Sequence, residues 1–542
     1  MDRPEKSDMA PCPRFFHDPP HMTGLPSVAA ASDLPRTIFI ELTSCCNMHC
    51  AFCPSDVLRR PKEFLSASRL RSFLDQLHAM NCRAPIMLNV LGEPLLNKKI
   101  YPLLDELEVA GHPVTLITNM TLLGDEEVRK ELLRHGNLTL AMSLQAATAR
   151  LYALRGYDRL PYRAFFKIFL AVVKDKFRLQ SGTRLEIHVA SNFVMAHDPT
   201  IQADGGLNLW ANFPNEKSEL RWITRMLRQL DRLALRMKRR YTVAFAATAA
   251  AAAVKYREQI GKKIALERTG LPANFQHLKE DVFWGYMALP DVFLVFKSLE
   301  LWTRDKAFLQ AALPPGRMAY VEEREDSMPC FMADSFGMLA NGDYVFCCLD
   351  YEGEMGLGNI DSTSVAAVLH SGKRATVRRD AMAAALCRRC RGNLFVFSTR
   401  ALAGGSEQAV DKFGRGFWPR EENLHGIGGR WTDGCAWAYV FARIPARRVR
   451  LSFLFDFPDE AQLTIAISPF DPAAECFFPP VASFPLQGQR CAISEFEVAF
   501  DFQAGRLYRL EIRSPFFIPD EIHGNGDRRR LGLAVFSIAI LV

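Results

Sequence analysis

The sequence predicts an α/β protein built on a parallel sheet, followed by a small α+β region that carries cysteines and then a C-terminal antiparallel β-sandwich. Three observations carry this. From residue 37 to about 190, short apolar runs alternate with amphipathic helical patterns, and parallel strands need a crossover, usually a helix, between them. The chain holds fourteen cysteines, and most fall in two groups rather than evenly along its length. From residue 449 onward, apolar residues recur at every second position between turns that contain Pro and Gly, the pattern of strands with one buried face.

The elements follow in order. Thr37-Ile38-Phe39-Ile40-Glu41-Leu42 is the first strand, and Leu70, Phe73, Leu74 and Leu77 mark one face of a helix. Pro85 to Leu91 reads as a buried strand, and Ile100, Leu103, Leu104 and Leu107 as the next helix. Pro113 to Thr118 and Leu138 to Leu144 are the third and fourth strands. Phe165, Ile168, Phe169 and Val172 give another helix, and Arg184 to Ala190 a fifth strand. Residues 200 to 325 show helical patterns and no clean strand, so a sixth strand is not located. Within them Leu220, Ile223, Leu227 and Leu230 share one helical face. Arg221, Arg225, Arg228, Arg232, Arg236 and Arg239 share another, either solvated or facing an acidic peptide, nucleic acid or membrane surface.

Composition narrows the class. A chain of 542 residues, nearly half of them apolar, is long enough for two or three domains with their own cores. Residues 1–34 are rich in Pro, Ala and Ser and read as a disordered leader without a secretory h-region. The apolar stretch Val243 to Val254 is mostly alanine and too short to span a bilayer. Cysteines this sparse and this clustered suit metal binding in a reducing compartment. The expectation is a soluble, cytoplasmic protein with no transmembrane segment. A net charge of +7, without a zinc finger or RNP-type strand, gives no expectation of nucleic-acid binding.

The first cysteine group is Cys46-Asn-Met-His-Cys50-Ala-Phe-Cys53, directly after the first strand. Three thiolates cannot pair off evenly as disulfides and fall one short of a closed zinc site. They suit a cubane iron–sulfur cluster with three irons held by protein and one left open, with a zinc knuckle as the alternative. The Cys-x3-Cys-x2-Cys spacing resembles that of the radical S-adenosylmethionine (SAM) enzymes. The resemblance implies a partial (β/α)6 barrel, adopted here for residues 35–260, with chemistry at the C-terminal ends of its strands. It implies a 4Fe–4S cluster whose open iron is chelated by SAM. Gly92-Glu93-Pro94 after the second strand resembles the motif at the SAM amino group, with Glu93 as acceptor and Gly92 allowing close backbone approach. Ser143 and Arg155 resemble the pair for the carboxylate and ribose. Asn119 bonds the ribose or caps the next helix, and Phe52 lies near adenine or is a packed aromatic.

The second group is Cys330, Cys347-Cys348, and Cys387-Arg388-Arg389-Cys390. With Gly342 and Gly356-Leu357-Gly358-Asn359-Ile360 it resembles a SPASM domain, placed at 326–400. Cys330, Cys347, Cys387 and Cys390 are enough for one auxiliary 4Fe–4S cluster, which resembles the shortened, twitch-like form; structural zinc is the alternative. The family spacing favours Cys347 over Cys348. Asp350, close behind, is a candidate catalytic base or a turn residue.

Residues 261–325 read as a helical connecting segment, 401–424 as a linker and 425–542 as the sandwich. Gly429-Arg430-Trp431 and Asp527-Arg528-Arg529-Arg530-Leu531-Gly532 weakly resemble a small sandwich appended to bacterial polysaccharide-synthesis enzymes. The remaining cysteines, Cys12, Cys45, Cys82, Cys435, Cys476 and Cys491, read as buried or isolated thiols. The resemblance implies an enzyme that reductively cleaves SAM to a 5′-deoxyadenosyl radical and abstracts hydrogen from a substrate, tilted by the sandwich towards a carbohydrate-linked one. The alternatives are a peptide-modifying maturase and a non-enzymatic glycan-binding or electron-carrying iron–sulfur protein. The implied partners are an electron donor such as flavodoxin or ferredoxin and a small-molecule, glycan or peptide substrate.

Overall fold

The computed structural model describes residues 34–190, 216–238, 275–279, 283–289, 291–297 and most of 305–542. Most of the expected leader, Arg239 and the alanine-rich stretch Val243 to Val254 lie outside the described residues. The chain divides into two compact units. One holds the N-terminal sheet together with residues 327–391. The other holds 313–326 and 392–542.

In the first unit, strands and helices alternate as the periodicity predicts. They are β1 (Thr37–Ile40), α1 (Ala67–Ala79), β2 (Ile86–Leu88), α2 (Ile100–Val109), β3 (Val114–Thr118), α3 (Glu126–Leu133), β4 (Leu138–Gln145), α4 (Ala149–Ala153), α5 (Tyr162–Arg178) and β5 (Arg184–Ala190). Ser66 caps α1 by accepting the Arg69 N–H at 3.2 Å, and α1 buries Leu70, Phe73, Leu74 and Leu77. α6 (Glu216–Lys238) then presents Arg221, Arg225, Arg228, Arg232 and Arg236 to solvent and buries Met226, Leu230 and Met237.

The expectation of a helical segment over 261–325 is corrected. The described part contains β6 (Phe275–Lys279), β7 (Phe283–Leu289), β8 (Val292–Lys297) and β9 (Arg317–Glu322). β8 pairs parallel with β5 and is the sixth barrel strand, so the sheet runs well past residue 260. Val292-Phe-Leu-Val-Phe is a continuous apolar run, which periodicity alone does not separate from a buried helix.

β10 (Ser335–Met338) and β11 (Tyr344–Val345) complete the sheet on its other edge, in the order β11-β10-β1-β2-β3-β4-β5-β8-β7-β6. β10 lies parallel to β1, with Phe39 beside Gly337. A Cβ on Gly337 would sit 2.5 Å from the Phe39 carbonyl oxygen, so only glycine lets this added strand close on the barrel edge. α7 (Val365–Leu369), α8 (Gly372–Arg379) and α9 (Ala385–Arg391) follow.

Register fixes which face is which. Phe336 of β10 packs 5.9 Å from Phe73 of α1, so its side of the sheet faces helices. That side passes through the paired residues Ile38, Ile86, Val114 and Leu138, and through Leu140 to Leu185. Residues of opposite parity, such as Phe39, Met87, Thr115, Ser143 and Glu186, lie on the interior face.

The second unit opens with β9, which pairs antiparallel with β12 (Asn393–Ser398). The expected linker 401–424 contains β13 (Glu407–Ala409) and β14 (Lys412–Phe413), each paired into a sheet. After β15 (Arg430–Trp431) come β16 (Cys435–Phe441), β17 (Ala446–Leu454), β18 (Thr464–Asp471), β19 (Cys476–Phe477), β20 (Ala482–Pro485), β21 (Ser494–Phe502), β22 (Leu507–Arg513) and β23 (Ala534–Leu541). They form two antiparallel sheets, β13-β23-β17-β21 and β14-β16-β22-β18-β19. Val449, Leu451, Phe453 and Ile540 of one sheet share a core with Val440, Ile465, Ile467 and Leu510 of the other. This is the sandwich, and its unit begins before residue 425 because β9 and β12 bury apolar faces against it. Phe395 and Phe397 pack with Tyr439 and Phe441. Cys435 is half-buried, and Cys476 and Cys491 are exposed rather than buried.

Candidate functional site

The loop after β1 carries Cys46, Cys50 and Cys53, and neighbouring strand ends pin it from two sides. On one side, Gly92 has φ +78°, and a Cβ there would fall 2.1 Å from the Thr43 carbonyl oxygen and 2.8 Å from that of Cys45. The Glu93 N–H donates to the Cys45 carbonyl at 2.9 Å. Close backbone approach at Gly92 therefore serves the cysteine loop itself. On the other side, the His49 N–H donates to the Arg155 carbonyl at 3.1 Å and the Ala51 N–H to that of Leu154 at 2.8 Å. Gly156, at φ +58°, lies against the His49 carbonyl, 2.6 Å from where a Cβ would stand.

Burial pushes the Cys46 thiol up to about 11, and the charge of Cys50 raises it further. Burial pushes Cys53 up to about 12, again with Cys50 adding to the effect. Cys46 and Cys53 are therefore held as neutral thiols unless a cation joins them. Iron supplies that charge, so these residues fit a cluster.

Glu93 is 1 % exposed. Its Oε2 accepts the Asn119 N–H at 2.6 Å, and its Oε1 accepts the Thr118 hydroxyl at 2.7 Å and the Leu95 N–H at 3.2 Å. Burial raises its carboxyl to about 7 against these three bonds. Pro94 opens the short turn behind it. Asn119 donates to Asn47 Oδ1 at 2.7 Å and lies 3.7 Å from the Cys46 sulfur. Its own Oδ1 accepts from the Thr121 N–H at 3.0 Å. Arg155, 2 % exposed, donates to the Ser143 and Leu144 carbonyls and stacks 5.3 Å over Phe165. Structure thus joins Ser143 to Arg155, and Glu93 to Asn119, around one loop. Phe52 is buried on that loop.

Sequence reasoning missed Asn47, Thr118, Glu41 and Arg60. Glu41 left a readable signal, an acid at the end of an apolar strand run. Asn47 and Thr118 act through bonds that no local pattern shows.

In the second cysteine group, Cys387 and Cys390 lie three residues apart on α9, on one face. Burial raises the Cys347 thiol well above the usual range, followed by the charges of Cys348 and Cys390. Cys348 packs instead with Cys53 against Phe39, Val90, Leu91 and Tyr351. Cys347 feels the charge of Cys390, which places the two near one another. Cys330 precedes the short 3-10 turn Phe331–Asp334. Asp350 is buried, and burial pushes its carboxyl to about 7. It accepts the Met355 N–H at 3.3 Å across its own turn, the geometry of a turn residue. Among the described residues no three His, Cys, Asp or Glu side chains converge on a single metal ion. Among them, too, no helix is long and apolar enough to cross a membrane.

Residues 40–180 match the model of the Radical SAM superfamily, and residues 330–391 that of SPASM, an iron–sulfur cluster-binding domain. The chain thus carries a radical SAM domain over residues 40–180 and a SPASM-type domain over residues 330–391. Such domains hold SAM with a 4Fe–4S cluster and carry auxiliary iron–sulfur binding. The AdoMet-dependent heme synthase of Methanosarcina barkeri (strain Fusaro / DSM 804) is 32% identical over 121 residues, 22% of this chain and 34% of that protein. The chain thus spans about a third of that curated relative. Among solved structures, BtrN in complex with AdoMet and 2-DOIA is 12% identical, covering 66% of this chain and 93% of that one, at a TM-score of 0.32. Streptococcus suis SuiB bound to precursor peptide SuiA is 13% identical, covering 64% of this chain and 67% of that one, at a TM-score of 0.35.

Proposed function

We propose that this protein is an enzyme that reductively cleaves SAM and oxidises a carbohydrate-linked substrate with the help of one auxiliary 4Fe–4S cluster. When bound, the first cluster would supply the one-electron reduction of SAM that yields a hydrogen-abstracting radical. Cys46, Cys50 and Cys53 hold that cluster. Glu93 accepts the SAM amino group through its remaining lone pairs, at the cost of adding to three bonds already made. Arg155, fixed on the Ser143 carbonyl, and Ser143 itself orient the carboxylate and ribose. The apolar layer of Phe39, Val90, Leu91 and Leu339 keeps water from the loop. Cys330, Cys347, Cys387 and Cys390 would hold the auxiliary cluster, which would supply an acceptor for the electron left on the substrate. An electron donor such as flavodoxin or ferredoxin would reduce the first cluster.

The observation that carries this reading is the pinning of one three-thiol loop by both motifs, Gly92-Glu93 on one side and Leu154-Arg155-Gly156 on the other. The sandwich unit favours a glycan-linked substrate. The test is anaerobic reconstitution with iron and sulfide, then a search for 5′-deoxyadenosine, alone and with candidate sugars and peptides. Cleavage stimulated by a sugar supports the reading. Stimulation by a peptide alone moves the substrate class to peptides, and no cleavage under strong reduction overturns the activity.

A further inference from the structure

Glu41 ends the first strand run and is fully buried. Both of its oxygens are in use. Oε1 accepts the Arg60 guanidinium at 2.6 Å and the Leu91 N–H at 3.1 Å, and Oε2 accepts the Ala340 N–H at 3.0 Å. Leu91 directly precedes Gly92-Glu93, the loop that carries the acid at the SAM site. Ala340 lies in the turn between β10 and β11, just ahead of Cys347. Arg60 extends the contact. Its Nε donates to the Tyr351 carbonyl at 2.6 Å, and the Arg59 and Arg60 N–H groups donate to the Glu352 carboxylate at 2.9 and 3.2 Å. One buried carboxylate therefore clasps the SAM loop, the segment after Cys53, and the turns on both sides of Cys347.

We propose that Glu41 is a positioning residue that couples the auxiliary cysteine site to the SAM site, so that filling the first tightens binding at the second. The physical reason is geometric. A carboxylate is planar and rigid, and its directional bonds transmit displacement where apolar packing would slide. A buried ion pair adds little stability over apolar packing, but it fixes register. When Cys347 and its neighbours close on a cluster, the turns at Ala340 and Tyr351 are held, and through Glu41 so is the Leu91 N–H. Such coupling is reciprocal: SAM then favours a filled auxiliary site by the same factor.

The inference rests on the SAM-binding part of the proposed function, and the experiment separates the two. Reconstituted wild-type protein and Cys387→Ala/Cys390→Ala protein are compared in equilibrium titrations with SAM, each with and without Glu41→Gln. With Glu41 present, loss of the auxiliary cluster should weaken SAM binding by about fivefold or more. With Glu41→Gln, the same loss should change affinity by less than about twofold, while four irons remain in the first site. Arg60→Lys, which keeps the charge and loses the planar fork, should give an intermediate ratio. Equal ratios in all backgrounds, or affinity independent of the auxiliary cluster, would overturn the inference. Hydrogen exchange needs no change at Glu41: protection of the Leu91–Leu95 amides should drop when the auxiliary cysteines are replaced. Unchanged protection there also rejects the coupling. Absence of any SAM binding to fully reconstituted wild-type protein would overturn the proposed function instead.

Discussion

Glu93 Oε2 accepts the backbone N–H of Asn119 at 2.6 Å, so the acid proposed to bind SAM is anchored to the end of the neighbouring barrel strand. This ties the β2 loop to the β3 end directly under the Cys46 sulfur, which Asn119 approaches at 3.7 Å. Replacing Glu93 therefore removes an acceptor from the ligand and three bonds from the scaffold. Glu93→Gln retains the size and one carbonyl oxygen. We expect Glu93→Ala to weaken SAM binding by about ten- to a hundredfold, the loss of a charge-assisted bond, and Glu93→Gln to weaken it less. Titration of the fully reconstituted proteins with SAM is the check, and equal affinity in all three removes Glu93 from the site.

Gly92→Ala tests the loop support. The new Cβ would meet the Thr43 carbonyl oxygen at 2.1 Å at a left-handed φ, and strain alone costs on the order of 1–3 kcal/mol. The cysteine loop must shift. The variant should fold, yet hold well under half of the iron of the first cluster after reconstitution, as measured by iron content. Full iron loading would show that the loop does not depend on this contact.

The cysteine groups should separate by metal count. Wild-type protein should hold about eight irons and little zinc, four per cubane. Cys46, Cys50 and Cys53 changed together to Ala should leave about four irons and no 5′-deoxyadenosine. Cys387→Ala with Cys390→Ala should also leave about four, but SAM cleavage should persist while substrate turnover fails. Stoichiometric zinc in the wild type would reject the auxiliary cluster.

A fourth expectation concerns the sandwich unit. Glu322 is buried, accepts the Tyr439 hydroxyl at 2.5 Å and the Asn393 amide at 2.8 Å, and burial raises its carboxyl above the ordinary value. Its protonated form is thus favoured in the folded state. The stability this contributes is complete below the unfolded carboxyl value and is lost as pH rises through the folded one. Glu322→Gln should flatten that part of the pH dependence of thermal unfolding. Glu322→Ala should destabilise by about 1–3 kcal/mol, because Tyr439 and Asn393 lose their acceptor. An unchanged pH profile in Glu322→Gln would remove this carboxyl from the balance.

The sequence by itself determined the local chemistry of this protein. Cys46, Cys50 and Cys53 are spaced for one cluster within eight residues, and the helices of Leu70, Ile100 and Phe165 declare themselves through one-sided burial. Both signals are short-range, so a one-dimensional reading contains them. Tertiary structure decided what depends on distant segments meeting. β8 is a barrel strand only because it lies beside β5, since its apolar run alone suits helix or strand alike. β12 joins the sandwich unit through β9, more than seventy residues earlier, a pairing that no local pattern marks. Cys347 and Cys348 are neighbours with the same side chain, and only packing shows that Cys347 lies near Cys390 and that Cys348 packs against Phe39 and Leu91. Gly92, legible as a glycine beside an acid, received its physical reason only when the Thr43 carbonyl filled the space a side chain would need.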